Sequence, residues 1–141
     1  MFLRRLLELL ILRLGSDFSN EKDYKSLIFY ILMKKIPPCG AICENCLACD
    51  KPCKGCHETG GRPYFYKNNE KCPVFECSQN KQIEHCGLCD SFPCDIFLNK
   101  FDPDRGIITA LRRAGLLSLR KKIGTEKWIK WVIEKKIEFG P

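Results

Sequence analysis

Apolar side chains are scarce in the middle of this chain, and cysteine is absent everywhere else. Positions 39–94 hold all 11 cysteines but only 12 other apolar residues, whereas the flanks hold 40. So little apolar area does not offset the entropy of ordering a segment that long. Something besides a hydrophobic core must hold the middle together. At 141 residues the chain has room for one domain, and a fold as large as a TIM barrel is excluded. Uninterrupted apolar runs are missing too. None approaches the roughly 20 residues that cross a bilayer, which excludes a transmembrane bundle. There is no internal repeat and no low-complexity tract. An H-E-x-x-H pair, a phosphate-cradling glycine loop and a Ser–His–acid arrangement are also absent, so the common signatures of hydrolysis and phosphoryl transfer are missing.

A convincing export signal is lacking as well. Met1–Leu14 places Arg4 and Arg5 before an apolar run, but Glu8 breaks it, and Gly15-Ser16-Asp17 is not a small-residue cleavage site. An odd cysteine count also argues against a closed disulfide framework. The expectation is a cytoplasmic protein with reduced thiols, for which metal binding is the default use of so many cysteines.

Three segments follow from the composition: a helical extension over 1–38, a cysteine-rich metal-binding module over 39–101, and basic helices over 102–141. Met1–Leu14 reads as a helix with Leu3, Leu6, Leu7, Leu10 and Leu14 at helical spacing, ended by Gly15. Packing within the protein is its plainest role; docking on a partner comes next, and membrane contact is the least expected. A second helix runs from Ser19 or Asn20 to about Lys35, stopped by Pro37-Pro38. The middle is dominated by loops, with Arg62–Lys67 (RPYFYK) as its one candidate strand. After Pro93, CDIFLNKF predicts a helix, and Asp102-Pro103-Asp104 breaks the chain. A helix from about Ile107 to Lys122, with a candidate kink at Gly115, is followed by one capped by Thr125. Trp128, Trp131 and Val132 share a face of the latter and read as core anchors.

Charge divides along the same lines. The net value is +7, and positions 95–141 carry 11 basic against six acidic side chains, while 39–94 is nearly neutral. Arg112, Arg113, Arg120, Lys121 and Lys122 could meet a nucleic acid through salt-dependent backbone contacts, although a solvated helix face is the plainer reading. Four thiolates around each of two zinc ions would add −2 per site, leaving positive ends around an acidic module.

The cysteine spacing is the most specific signal. It runs C-x3-C-x2-C-x2-C-x3-C-x2-C from Cys39 to Cys56, then C-x4-C at Cys72 and Cys77, then C-x2-C-x4-C at Cys86, Cys89 and Cys94. Two residues between thiolates let a tight turn aim both at one ion, and thiolates select zinc, iron–sulfur or Cu(I) over hard cations. Two zinc sites are expected. Cys53 and Cys56 with Cys72 and Cys77 resemble a four-thiolate site whose second turn is two residues longer than usual. Cys43 and Cys46 with Cys86 and Cys89 would tie the module's start to its end. Cys39 and Cys94 complete the set of ten ligand candidates, with Cys49, His57 and His85 behind them; a lone surface histidine is more often merely solvated. The alternative is a 4Fe–4S cluster on Cys43, Cys46, Cys49 and either Cys53 or Cys72, since Cys43–Cys53 has the bacterial ferredoxin spacing. The proline expected after the last cysteine is absent, Lys54 standing there.

CGAICENC, then CKGC, KCPVFEC and HCGLCDSFPC together resemble a widespread archaeal and bacterial family of cysteine-rich domains of unknown function, associated with zinc binding. The resemblance covers about residues 39–101. It implies zinc over iron–sulfur and brings no activity with it. Cys49 and the 1–38 extension depart from the pattern.

The sequence therefore predicts a small α-rich protein in which metal staples an irregular cysteine-rich module flanked by terminal helices. The expected role is a non-enzymatic protein-interaction module, with nucleic acid as a secondary partner; an iron–sulfur or thiol-redox accessory protein is the alternative. Glu44, Glu58 and Glu84 lie near enough to the cysteines to serve as a general base beside a catalytic zinc, but exposed charge is the plainer reading of each.

Overall fold

The computed structural model describes residues 36–43, 52–64, 66–99, 107–135 and 137, all within the compact unit Met33–Pro141. The expected helices before Pro37, and the break at Asp102-Pro103-Asp104, lie outside these residues. Among the described residues there are four α-helices and no strand: α1 (Pro73–Asn80), α2 (Asp95–Leu98), α3 (Ile108–Ile123) and α4 (Thr125–Glu134). Single 3-10 turns occur at Lys67–Asn69 and Cys86–Leu88.

RPYFYK is not the strand its aromatics predict. Pro63 fixes its own φ, and its carbonyl accepts the Tyr66 N–H at 3.0 Å, closing a turn. Asn68 and Asn69, both at φ 57°, then reverse the chain in the left-handed region.

The module is also less loop-dominated than its composition implies, because α1 runs through its centre. Pro73 stands at the helix start, where its missing N–H costs nothing, and Glu76 lies in the first turn, where a carboxylate suits the helix dipole. Val74, Phe75 and Ser78 form the buried face, and the Ser78 hydroxyl donates to the Phe75 carbonyl at 2.8 Å. That bond lets a polar residue sit inside without an orphaned hydroxyl. The predicted helix after Pro93 is α2. It presents Phe97, fully buried and edge-on to Phe92 at 4.8 Å between ring centres.

α3 and α4 form a hairpin joined by one residue, Gly124, at φ 80°. Its N–H closes α3 on the Arg120 carbonyl, and its own carbonyl accepts the Trp128 N–H. Thr125 is therefore the first residue of α4 rather than its cap, and its hydroxyl serves elsewhere. α3 continues through Gly115 as one helix. Trp128, Ile129 and Val132 are buried, with Trp131 only half-buried. α4 packs on α3, and α3 packs on the Cys86–Leu88 turn.

The hydrophobic cluster at the centre contains Cys39, Cys72, Val74, Phe75, Phe97 and Leu117. Two of these six are cysteines. Thiols here do part of the packing that leucine or valine does elsewhere, as buried cysteine can.

Candidate metal centre

Gly40 and Gly87, each following a cysteine, bring two cysteine turns against the same point on α3. A Cβ on Gly40 would lie 2.9 Å from Leu117 Cγ, and one on Gly87 would lie 2.6 Å from the Leu117 carbonyl oxygen. No side chain fits either gap, and at Gly87 the obstacle is backbone. The Cys86 N–H also donates to the Pro38 carbonyl at 3.0 Å, joining the chain just before Cys39 to the chain at Cys86. The start and end of the module are thus adjacent.

A second tie runs through Gly61. Its N–H donates to the Cys56 carbonyl and its carbonyl accepts the Cys72 N–H, both at 2.7 Å. Cys56 and Cys72, 16 positions apart in the numbering, are held one residue's width from each other's backbone. Cys56, Cys86 and Cys94 are half-buried and pack against the central cluster that contains Cys39 and Cys72.

Cys72 and Cys77 do not form the tight turn that their spacing resembles. Cys72 is the extended residue before α1, and Cys77 lies inside the helix. Five helical residues turn a side chain by about 140°, so the two thiols leave the helix in different directions. Cys77 instead shares a cation with the C-terminal cysteines. Lys81 Nζ donates to Cys89 Sγ at 3.1 Å. This bond is the main reason the Cys89 thiol titrates below its ordinary value, helped by the Ser91 backbone N–H and opposed by slight desolvation. The Lys81 ammonium is held above its usual range by Cys89 first, with Cys77 and then Cys94 adding to it. At the opposite end, Arg113 Nη1 approaches Cys39 Sγ at 3.4 Å.

Cys53, Cys72, Cys77, Cys89 and Cys94 carry thiols outside any disulfide. Cys46 and Cys49 lie outside the described residues. Among the described residues, no three His, Cys, Asp or Glu side chains stand close enough to hold one ion. The donors on offer are sulfur, with two turns tied by backbone and cations beside Cys89 and Cys39. That chemistry fits a thiophilic ion and not a hard one.

Of the two histidines, His57 is exposed, as its isolation predicts, and His85 is not. His57 Nε2 sits 2.9 Å from the Ile36 carbonyl, and its ring meets Phe75 edge-on. His85 is 2 % exposed. Burial, reinforced by the Arg120 charge, lowers its pKa to about 4, so the ring is neutral near pH 7. The position of a Cβ on Gly87 lies against both the Leu117 carbonyl and His85 Nδ1, so the turn after His85 packs on α3, the helix that also supplies the Arg120 charge.

Glu84 is likewise committed. Arg120 Nη2 donates to Glu84 Oε1 at 2.6 Å, Arg120 Nε donates to Thr125 Oγ1 at 2.9 Å, and the Thr125 hydroxyl donates to Glu84 Oε1 at 2.7 Å. Partial burial pushes the Glu84 carboxyl up, but the Thr125 bond and the Arg120 charge outweigh it and the net shift is downward. A carboxylate held so tightly is a poor general base. Glu58 is exposed, and Glu44 lies outside the described residues. The same network corrects the basic face expected on α3. Arg120 is 1 % exposed, with its guanidinium 5.3 Å from the centre of the Trp128 ring. Arg113 is half-buried, which leaves Arg112, Lys121 and Lys122 outward. Nothing in the run RKK marks its first residue as internal. The available signal was Thr125 five positions on, and the other partner, Glu84, is distant in sequence.

Among the described residues, a thiol-dense module followed by a helical hairpin is the class these features define. Residues 35–99 match a family model described as a protein of unknown function (DUF3795), a match consistent with the cysteine-rich family that the motifs resemble. No curated protein and no solved structure matches the chain. Among the described residues, no helix is long and apolar enough to cross a membrane.

Proposed function

We infer that the cysteine-rich module is a zinc-stapled, non-enzymatic interaction module of a cytoplasmic protein. The observation that carries this reading is the pair of backbone ties. Cys56 lies beside Cys72 through Gly61, and Cys86 lies beside the Cys39 turn through Pro38. These ties run parallel to the two ligand sets inferred from spacing, one joining the Cys53/Cys56 turn to Cys72, the other joining the start of the module to Cys86 and Cys89. The position of Cys77 beside Lys81 and Cys89 argues for an altered partition, with Cys77 passing to the C-terminal set. Structural zinc contributes on the order of 10 kcal/mol per site in small peptides, the scale needed where apolar area is short.

Catalysis is not part of the reading. Zinc chemistry needs an open coordination position and a base, and Glu84, a base candidate two residues before Cys86, is bound to Arg120 and Thr125.

Metal analysis of aerobically purified protein tests it. The expected result is about two equivalents of zinc, with loss of the folded near-UV signal on chelation. Less than one equivalent, with no response to chelation, would overturn it. Brown protein from anaerobic purification, with iron and acid-labile sulfide, would replace zinc with a cluster on Cys43, Cys46, Cys49 and Cys53 or Cys72.

A further inference from the structure

α3 has two faces of opposite character. Inward it presents Ala110, Leu117 and Arg120. Outward, at positions 108, 111, 115, 118 and 122, it presents Ile108, Leu111, Gly115, Ser118 and Lys122, all exposed. At 100° per residue these five fall within a sector about 80° wide, running the length of the helix. Ile107, one residue before the helix, extends the apolar end. Ile107, Ile108 and Leu111 are 66 %, 60 % and 56 % exposed, the three highest values among the large exposed hydrophobics of the described residues. Scattered single apolar residues on a surface need no explanation, but three adjoining ones on one helical turn form a patch.

Gly115 is the second observation. It lies mid-helix, where glycine is among the worst helix formers, and a Cβ built on it meets nothing within 4 Å. Gly40 and Gly87 are required by contacts inside the protein. Among the described residues, no contact requires Gly115. A glycine that the fold does not use, beside an exposed serine one turn on, leaves a shallow floor on which another backbone can lie close.

Charge is the third. α3 contains five basic residues and no acidic one. With Arg113 and Arg120 turned inward, Lys122 lies within the outward stripe, and Arg112 and Lys121 flank it, about 40° and 60° beyond its two edges. The outer face of α4 differs: it mixes acidic and basic residues and closes its own Glu126–Lys130 pair at 2.9 Å. α3 holds no acidic residue with which to form such a pair within the helix.

We propose that the outward stripe of α3 docks an acidic amphipathic helix of a partner protein, with apolar anchors against Ile107, Ile108 and Leu111 and carboxylates against Lys121 and Lys122. Gly115 and Ser118 supply the close approach between the two backbones. This rests on the reading of the chain as an interaction module and assigns that role a surface and a partner chemistry. A nucleic acid fits less well, since phosphates make no use of the apolar end. A bilayer surface fits less well too, since the centre of the stripe offers it almost no apolar area.

The test uses the full chain and a fluorescein-labelled 18-residue helical peptide with leucine at i, i+3, i+4 and i+7 and glutamate elsewhere, read by anisotropy. The expected result is saturable binding that weakens at least tenfold in Leu111→Glu and in Gly115→Tyr, and severalfold in the pair Lys121→Glu, Lys122→Glu. Lys130→Glu on α4 should leave it unchanged. Zinc content and far-UV helicity, measured on the same samples, separate the two claims. Zinc-loaded, folded protein that ignores the peptide up to millimolar concentration overturns the docking site alone, whereas missing zinc overturns the parent reading. Equal binding by wild type and Gly115→Tyr also overturns the site. So does preferential binding of a 20-mer DNA, or of phosphatidylserine vesicles, that survives Leu111→Glu.

Discussion

The α3–α4 hairpin and the cysteine module are built on different principles. The hairpin follows ordinary rules: a periodic apolar face, one glycine between two helices, a buried tryptophan and cations in the last turn of α3. Its interior holds one charge, Arg120, answered by Glu84 and Thr125. The module has short elements, α1 and α2 of eight and four residues, joined by turns. Its order comes from glycines that permit close approach, single backbone hydrogen bonds between distant turns, and thiols placed where a larger domain would put aliphatic carbon. A hairpin built like this can lose one contact and remain helical. A module built like this depends on whatever joins its turns.

Removing that joint is the strongest way to break the comparison. Chelation of the purified protein should cost on the order of 10 kcal/mol per zinc site in the module, against little direct loss in the hairpin. Hydrogen exchange followed by peptide mapping is the measurement. Amides of 52–99 should lose protection first, while those of α3 and α4 persist longer. Uniform loss across both regions would mean that they form one cooperative unit and that the contrast is only architectural.

Trp128→Ala attacks the hairpin instead. The side chain is fully buried, and large-to-small changes of this kind cost about 3–5 kcal/mol. Urea unfolding of the metal-loaded protein should shift accordingly. Zinc content should hold in the residual folded fraction if the module is independently stapled.

The two regions meet at Glu84, and the asymmetry of that ion pair makes a sharper probe. Arg120 is 1 % exposed on its side chain and Glu84 is 40 % exposed. Removing the carboxylate leaves a guanidinium buried without its counter-ion, whereas removing the arginine leaves a carboxylate that water can reach. Breaking a buried pair by deleting one partner costs about 3–5 kcal/mol, and the exposure of Glu84 places Glu84→Ala near the low end, at about 3 kcal/mol. Arg120→Met keeps the packing against Trp128 while removing the charge, and should cost less than Glu84→Ala. A double-mutant cycle in chemical denaturation would reveal it: Glu84→Ala should be much milder in the Arg120→Met background. Additive effects would mean that the pair does not couple the hairpin to the module.

These differences also decide what could be read in advance. α3, α4 and the helix after Pro93 follow from apolar period and breaker residues, which are local signals. α1 was hidden because its buried face includes Ser78, and because its cysteines invite a reading as ligand turns. Pro73 at the first helical position was the local clue. The burial of His85 and Arg120 has little local signal: Arg120 has Thr125 five positions on, but its counter-ion Glu84 and the pairing of the His85 segment with α3 are distant in sequence. Within the candidate site, the spacing joins the Cys53/Cys56 turn to Cys72, and the Cys56 and Cys72 backbones do meet through Gly61. It missed the helix between Cys72 and Cys77, because C-x4-C fits a long turn and a helix start equally well.

Gly115→Ala is the mildest change and tests whether the fold has any use for that glycine. In the hairpin every other feature favours helix, so a residue of poor helix propensity at an exposed central position stands against its surroundings. The new methyl group meets no atom within 4 Å, so neither strain nor lost packing opposes the gain in propensity. Alanine should stabilise the protein by about 0.5–1 kcal/mol, read as a rise in thermal midpoint with zinc content unchanged. A destabilisation would place an unrecognised contact at Gly115 and weaken the case for an open docking face. A stabilisation that also weakens peptide binding would show that the chain gives up helix stability at this point so that another backbone can come close.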